Sequence, residues 1–166
     1  MKRMLFLAIT SLVFAGSARA DRPDVRTLAD MIAAGHYGYV DELITARHFP
    51  VRPERFTTKN LQVIHYGAKL TSQDVLTDLE CRGLRPAVIE ELLAYAAEHP
   101  EAQKDHTIVA PGSIWNQLMP RLDMEYVNPR VYDAHGTPER MRVLRLQYMK
   151  PEYHYPESVR FLAAPK

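Results

Sequence analysis

Apolar residues recur at helical spacing in some stretches and alternate with polar ones in others, and these two periods divide the chain into elements. In DVRTLADMIAA, Val25, Leu28, Met31 and Ile32 put an apolar stripe on a helix over 24–34, with Asp24 as N-cap and Gly35 as the stop. The GHYGYVDELITARHFPVRPERF that follows has no clean period. It predicts a surface-wrapping loop with a helical turn or two at 40–47. NLQVIHY (60–66) sets Leu61, Val63 and His65 against Gln62, Ile64 and Tyr66, both largely apolar sets, which predicts an interior strand covered on both sides. In KLTSQDVLTDLECRG, Thr71 and Asp74 read as a capping box and Val75, Leu76 and Leu79 as the buried stripe. Arg82 is then the C-cap and Gly83 the left-handed stop, with Leu84 placed to fold back on Leu79. Pro86 fits the first position of another helix, where its missing N–H costs nothing. That helix should bury Val88, Ile89, Leu92, Leu93 and Ala96, send Glu90, Glu91 and Glu98 to solvent, and close at Pro100.

The second half carries weaker signals. TIVA (107–110) predicts a short strand leading into PGSIWNQ, where Trp115 anchors a long loop. EYVNPRVYD (125–133) predicts a strand broken or bounded at Pro129, and DAHGTP a turn. RMRVLRLQY (140–148) alternates well, KPEYHYPE is a Pro-bounded aromatic loop, and SVRFLAA (158–164) predicts a terminal strand paired within the sheet. No repeat or linker interrupts 21–166, which predicts a single domain. The fold class is α+β: two or three helices packed on a small, mostly antiparallel, twisted sheet, with a loop-rich second half.

The first twenty residues read differently. Lys2 and Arg3, the apolar run MLFLAITSLVFAG, and Ala18 and Ala20 before Asp21 have the arrangement of a cleaved signal peptide over 1–20. The expected location is therefore periplasmic or secreted, with no stable membrane insertion after signal cleavage. The whole chain has 21 basic and 20 acidic residues, but Lys2, Arg3 and Arg19 belong to the leader. The mature chain is thus slightly acidic, which gives no reason to expect nucleic acid as a partner. Its 146 residues suffice for one core without metal or disulfide. Cys81 is the sole cysteine, so a Cys81-linked dimer is the one disulfide open to it.

GLRPAVIEELLAYAA (83–97) and SVRFLAA (158–164) resemble pieces of formylglycine-generating-enzyme-like and C-type-lectin-like modules. Arg85, Pro86, Glu90, Glu91, Tyr95, Ala96 and Ala97 match an arginine-proline stretch entering a Glu- and Ala-rich helix. Arg160 and Phe161 match a closing FR strand in reversed order, and Gly112 and Trp115 a glycine followed by a tryptophan. The resemblance implies a C-type-lectin-like fold. It does not carry over the chemistry, because one cysteine cannot supply the copper-holding pair and the calcium motifs Glu-Pro-Asn and Trp-Asn-Asp are absent from the sequence. The chain is also similar to bacterial exported proteins of uncharacterised activity with the same GLRPA and EELLA pieces, which imply no activity.

Candidate chemistry is sparse. Cys81 ends a helix among carboxylates, a placement that disfavours a thiolate and argues for a structural or incidental thiol. The seven histidines form no local metal motif, and only a spatial assembly of His36, His48 and His65 would make one. His65 reads as a hydrogen-bonded core residue. Tyr153, His154 and Tyr155 form an aromatic cluster suited to stacking on a sugar or peptide, or to pinning their loop to the sheet. Arg142 and Arg160 would share a face if the late strands pair, to bind an acidic group or to face solvent. Glu90 and Glu91, adjacent on a helix, point in different directions, and Glu152 and Glu157 bracket the aromatic loop at an unknown separation. The resulting expectation is a non-catalytic exported module with no cofactor, binding a cell-envelope ligand such as a glycan or peptide through Trp115, Tyr153, His154, Tyr155, Arg142 and Arg160. The alternatives are a hydrolase or transferase with a His and carboxylate site assembled by the fold, or a structural component of the envelope.

Overall fold

A computed structural model describes residues 26–126 and 139–166. The leader, Asp24 and residues 127–133 of the expected late strand lie outside the described residues. Helix α1 (Leu28–Ala34) starts where Thr27 and Asp30 exchange hydrogen bonds as a capping box, so Thr27 is the N-cap, and Gly35 ends it as expected. The helical turns expected at 40–47 are instead a strand, β1 (Tyr39–Val40), followed by tight turns closed by Ile44 N–H on Asp41 O and Phe49 N–H on Thr45 O. A 3-10 turn at Pro53–Arg55 leads to β2 (Gln62–His65) and β3 (Leu70–Thr71).

Helix α2 (Ser72–Cys81) follows its sequence signals closely. Thr71 and Asp74 form the capping box, Gly83 has a φ of 71°, and Leu84 joins Leu79 in one buried cluster. What comes next departs from expectation. Leu84–Pro86 is a strand, β4, and α3 (Ile89–Glu98) begins three residues after Pro86. The reason is tertiary: residues 84–86 pair with the last strand of the chain, and Ala87 N–H donates to Leu162 O.

The remaining strands are β5 (Ile108–Val109), β6 (Leu118–Tyr126), β7 (Arg140–Tyr148), β8 (His154–Tyr155) and β9 (Arg160–Pro165). The main sheet runs β1-β7-β6-β5-β9-β2, with β4 pairing β9 beyond the end of β5, while β3 and β8 form a separate ribbon. The β1–β7 and β5–β9 pairs are parallel and the others antiparallel. The fold is α+β as read, but the second half is rich in strand rather than loop. The β6–β7 ladder, in register from Leu118↔Tyr148 to Tyr126↔Arg140, is its longest pairing. Pro120 lies inside β6, yet it faces Ala110, just past the end of β5, where a missing N–H breaks little of the ladder.

The sheet is packed on both faces. Leu122, Leu144, Leu162 and Ile108 turn to α1 and α3, while Val109, Met119, Phe161 and Ala163 join the α2 residues Val75 and Leu79. In β2, Val63 packs against the first cluster and Ile64 against the second, as the alternation predicts. Its position differs from expectation, for β2 is an edge strand. His65 is accordingly exposed, its Nε2 within hydrogen-bonding distance (2.9 Å) of Glu157 O, rather than a core residue.

Candidate functional site

The six residues expected to make one binding surface do not converge. Trp115 packs against the cluster beneath α1 and α3, whereas Tyr155 lies in the cluster on the opposite face of the sheet. Tyr155 is buried, shares a 2.9 Å hydrogen bond with Ser72, and has its ionisation pushed up by burial, so it pins the β8 ribbon rather than meeting a ligand. Tyr153 stands edge-on to it and stays exposed with His154. Arg142 is an internal clamp: its guanidinium donates to Gly35 O at the end of α1, to Ala96 O in the last turns of α3, and to Gln103 Oε1. Arg160 lies on the same face, its Nε buried without a hydrogen-bond partner among the described residues. The register Arg160–Ile108–Leu122–Leu144 puts the two arginines three strands apart, and Arg142 is already committed to Gly35, Ala96 and Gln103. Cys81 is free and exposed at the last residue of α2.

A different site emerges where α3 begins. Glu90 and Glu91, expected in solvent, are 3% and 0% exposed. The chain on either side of the 3-10 turn wraps across the first turn of α3, so two adjacent carboxylates that point apart both find backbone donors. Arg52 N–H donates to Glu90 Oε1 at 2.8 Å, and Thr57 N–H to Glu91 Oε1 at 2.9 Å. Glu91 also takes both terminal nitrogens of Arg85 and the Val88 N–H, which closes the first turn. The neighbouring loop is pressed onto this turn from the other side. Gly112 N–H donates to Ala87 O at 2.8 Å, and a Cβ on Gly112 would fall 2.5 Å from Pro86 O and 2.6 Å from Ala87 O. This contact, open only to glycine, sets Ser113 Oγ to accept the Ile89 N–H at 2.8 Å.

Trp115 is held by the same loop. Trp115 and Leu118 exchange backbone hydrogen bonds around Asn116 and Gln117, whose φ values of 48° and 62° fit the left-handed geometry of a tight hairpin turn. The indole stacks on His48 with ring centroids 3.8 Å apart and planes 14° from parallel. His48 Nδ1 lies 2.8 Å from Leu43 O, a contact that requires a proton on Nδ1. A half-open cavity of about 230 Å³ lies here, lined by His48, Phe49, Arg52, Glu90, Ser113 and Ile114 among others. A second, wider groove shares Val88 and Gly112 with it and has Phe56, Thr57, Arg85 and Pro165 on its walls. Glu90 and Arg52 form no ion pair here, and Glu90 Oε2 has no donor among the described residues.

This arrangement offers an aromatic stack, apolar walls, a serine hydroxyl and a buried carboxylate. It provides recognition groups, with no described carboxylate on the imidazole. His36, His48 and His65 do not come together, and no three potential ligands converge for a metal among the described residues. Sequence reasoning missed His48, Arg52, Glu90, Gly112 and Ser113 as a set. One signal was present: IEELLAYAAE has no basic residue to accompany its glutamates, unusual for carboxylates meant for an exposed helix face. Comparison with known proteins finds no family model, no curated protein and no solved structure that matches the chain.

Proposed function

We propose that the chain is a non-catalytic exported module, periplasmic or secreted, that binds a cell-envelope or surface ligand in the groove at the amino end of α3. The reading rests on one observation, the His48–Trp115 stack beside a cavity whose wall contains the buried Glu90. Aromatic planes next to a small concave site with few polar groups suit a glycan or peptide held by stacking and one or two directed hydrogen bonds. A C-type-lectin-like arrangement is part of the same proposal. Among the described residues no helix is long and apolar enough to cross a membrane. Titrating the protein with a glycan and peptide library should perturb the fluorescence of Trp115, the only tryptophan, and His48→Ala should abolish that response. A library that leaves Trp115 unmoved across salt and pH sinks the reading.

A hydrolase or transferase is the second reading, favoured by an oriented His48 facing the same cavity as the Ser113 hydroxyl. Against it, the imidazole is held by a carbonyl instead of a carboxylate, and Ser113 Oγ already takes the Ile89 N–H. Turnover of chromogenic esters or glycosides that disappears in His48→Gln would reverse the preference.

A further inference from the structure

We infer that the cavity takes a primary ammonium on an aliphatic stem, a lysine-type side chain of a peptide, against the open oxygen of Glu90. The inference rests on the groove being the binding site. Its physical basis is the contrast between two neighbouring carboxylates of equal burial. Glu91 is fully served, with two backbone N–H groups and both arms of Arg85 on its oxygens. Glu90, 3% exposed, receives a single donor, the Arg52 N–H on Oε1. A carboxylate has room for about four hydrogen bonds, and Glu90 Oε2 receives none from the described residues. The remaining capacity belongs to a residue that lines the cavity, and Arg52, on the same wall, leaves it unfilled.

The walls narrow the class of donor. Phe49, Pro50, Val88 and Ile114 present hydrocarbon to the cavity, and Ile114 is 52% exposed. A methylene stem ending in an ammonium would lay its carbons on these side chains and its charge against Glu90. The volume, about 230 Å³, is enough for one such side chain. The wider groove that shares Val88 and Gly112 would carry the rest of the peptide.

The test uses the full chain, with Trp115 fluorescence and the amide shifts of Ile89, Gly112 and Ser113 as readouts. The probes are an acetylated and amidated Gly-Lys-Gly peptide, the same peptide with an Nε-acetylated lysine, glucosamine and N-acetylglucosamine. The lysine peptide should shift these signals saturably. Acetylating its amine, or substituting Glu90→Gln, should weaken binding at least about tenfold, as expected for the loss of one charged hydrogen bond. Should Glu90→Gln fail to fold, the acetylation comparison on the unaltered protein decides alone. Equal binding of the two peptides overturns the inference while leaving the groove as the site. Binding of glucosamine alone overturns the peptide assignment. Silence from every probe overturns the lysine assignment, and the groove itself falls only if the wider library is silent too.

Discussion

At the scale of single residues, Glu91 is the strongest structural commitment in the described chain. It is fully buried and accepts four hydrogen bonds from three residues on two sides of the helix start. Glu91→Ala leaves Arg85 without its partner, and the expected loss is about 3–5 kcal/mol of stability, read as a lower urea midpoint. Gly112→Ala tests the neighbouring contact. Its Cβ cannot fit against Pro86 O and Ala87 O, so the loop must lift, releasing Ser113 from Ile89 N–H. A loss of about 1–3 kcal/mol is expected, together with impaired binding in the groove. Normal stability and binding would show that the loop is not wedged as described. The sequence held only the missing basic partners as a hint of the buried glutamates. Glutamate is normally solvated on a helix, and the wrapping of residues 52–57, a long-range event, makes Glu90 and Glu91 internal.

Elements whose ends are set locally were legible; those set by distant chain were not. Both limits of α2 follow from Thr71, Asp74 and Gly83, because capping and left-handed turns involve neighbours in sequence. Thr71→Ala should cost about 1 kcal/mol and Gly83→Ala about 1–2 kcal/mol. The sites lie at opposite ends of the helix, so the double variant should sum them to within about 0.5 kcal/mol. The cap also has a pH signature. Hydrogen bonds from Thr71 hold the Asp74 carboxyl below its ordinary range, as those from Thr27 do for Asp30. A depressed folded pKa contributes stability above the unfolded value, and it is lost as pH falls through the folded one. The gap between Thr71→Ala and the parent should therefore narrow below about pH 4 in urea melts. Pro86 misled for the opposite reason. It looks like a helix start in isolation, but β4 exists because β9 offers an edge.

At the scale of the whole molecule, one sheet serves two cores, and the candidate groove sits beside only one of them. Trp115 and Tyr155 do not form one surface, because they pack on the clusters at opposite faces of the sheet, an arrangement no local pattern carries. The α1–α3 side is tied together by Arg142, which reaches carbonyls of both helical segments while its guanidinium lies 5.1 Å from the Tyr37 ring centroid. Tyr37 makes this side sensitive to alkali. Burial pushes its phenol up to about 12, with Arg142 opposing the shift, and no described residue hydrogen-bonds its hydroxyl. The folded state therefore keeps a proton that the unfolded chain releases near pH 10, so stability falls as pH rises through that window. A shift of this size corresponds to roughly 2–3 kcal/mol lost between about pH 10 and 12. Tyr37→Phe removes the titration without removing a hydrogen bond. It should match or exceed the parent at pH 7, because the buried hydroxyl it removes has no described partner, and the excess should grow above pH 10, in urea melts followed by circular dichroism. Melts of the two proteins that stay parallel to pH 12 would mean that Tyr37 ionises freely in the folded chain, and that the packing between α1, β7 and Arg142 is looser than this geometry.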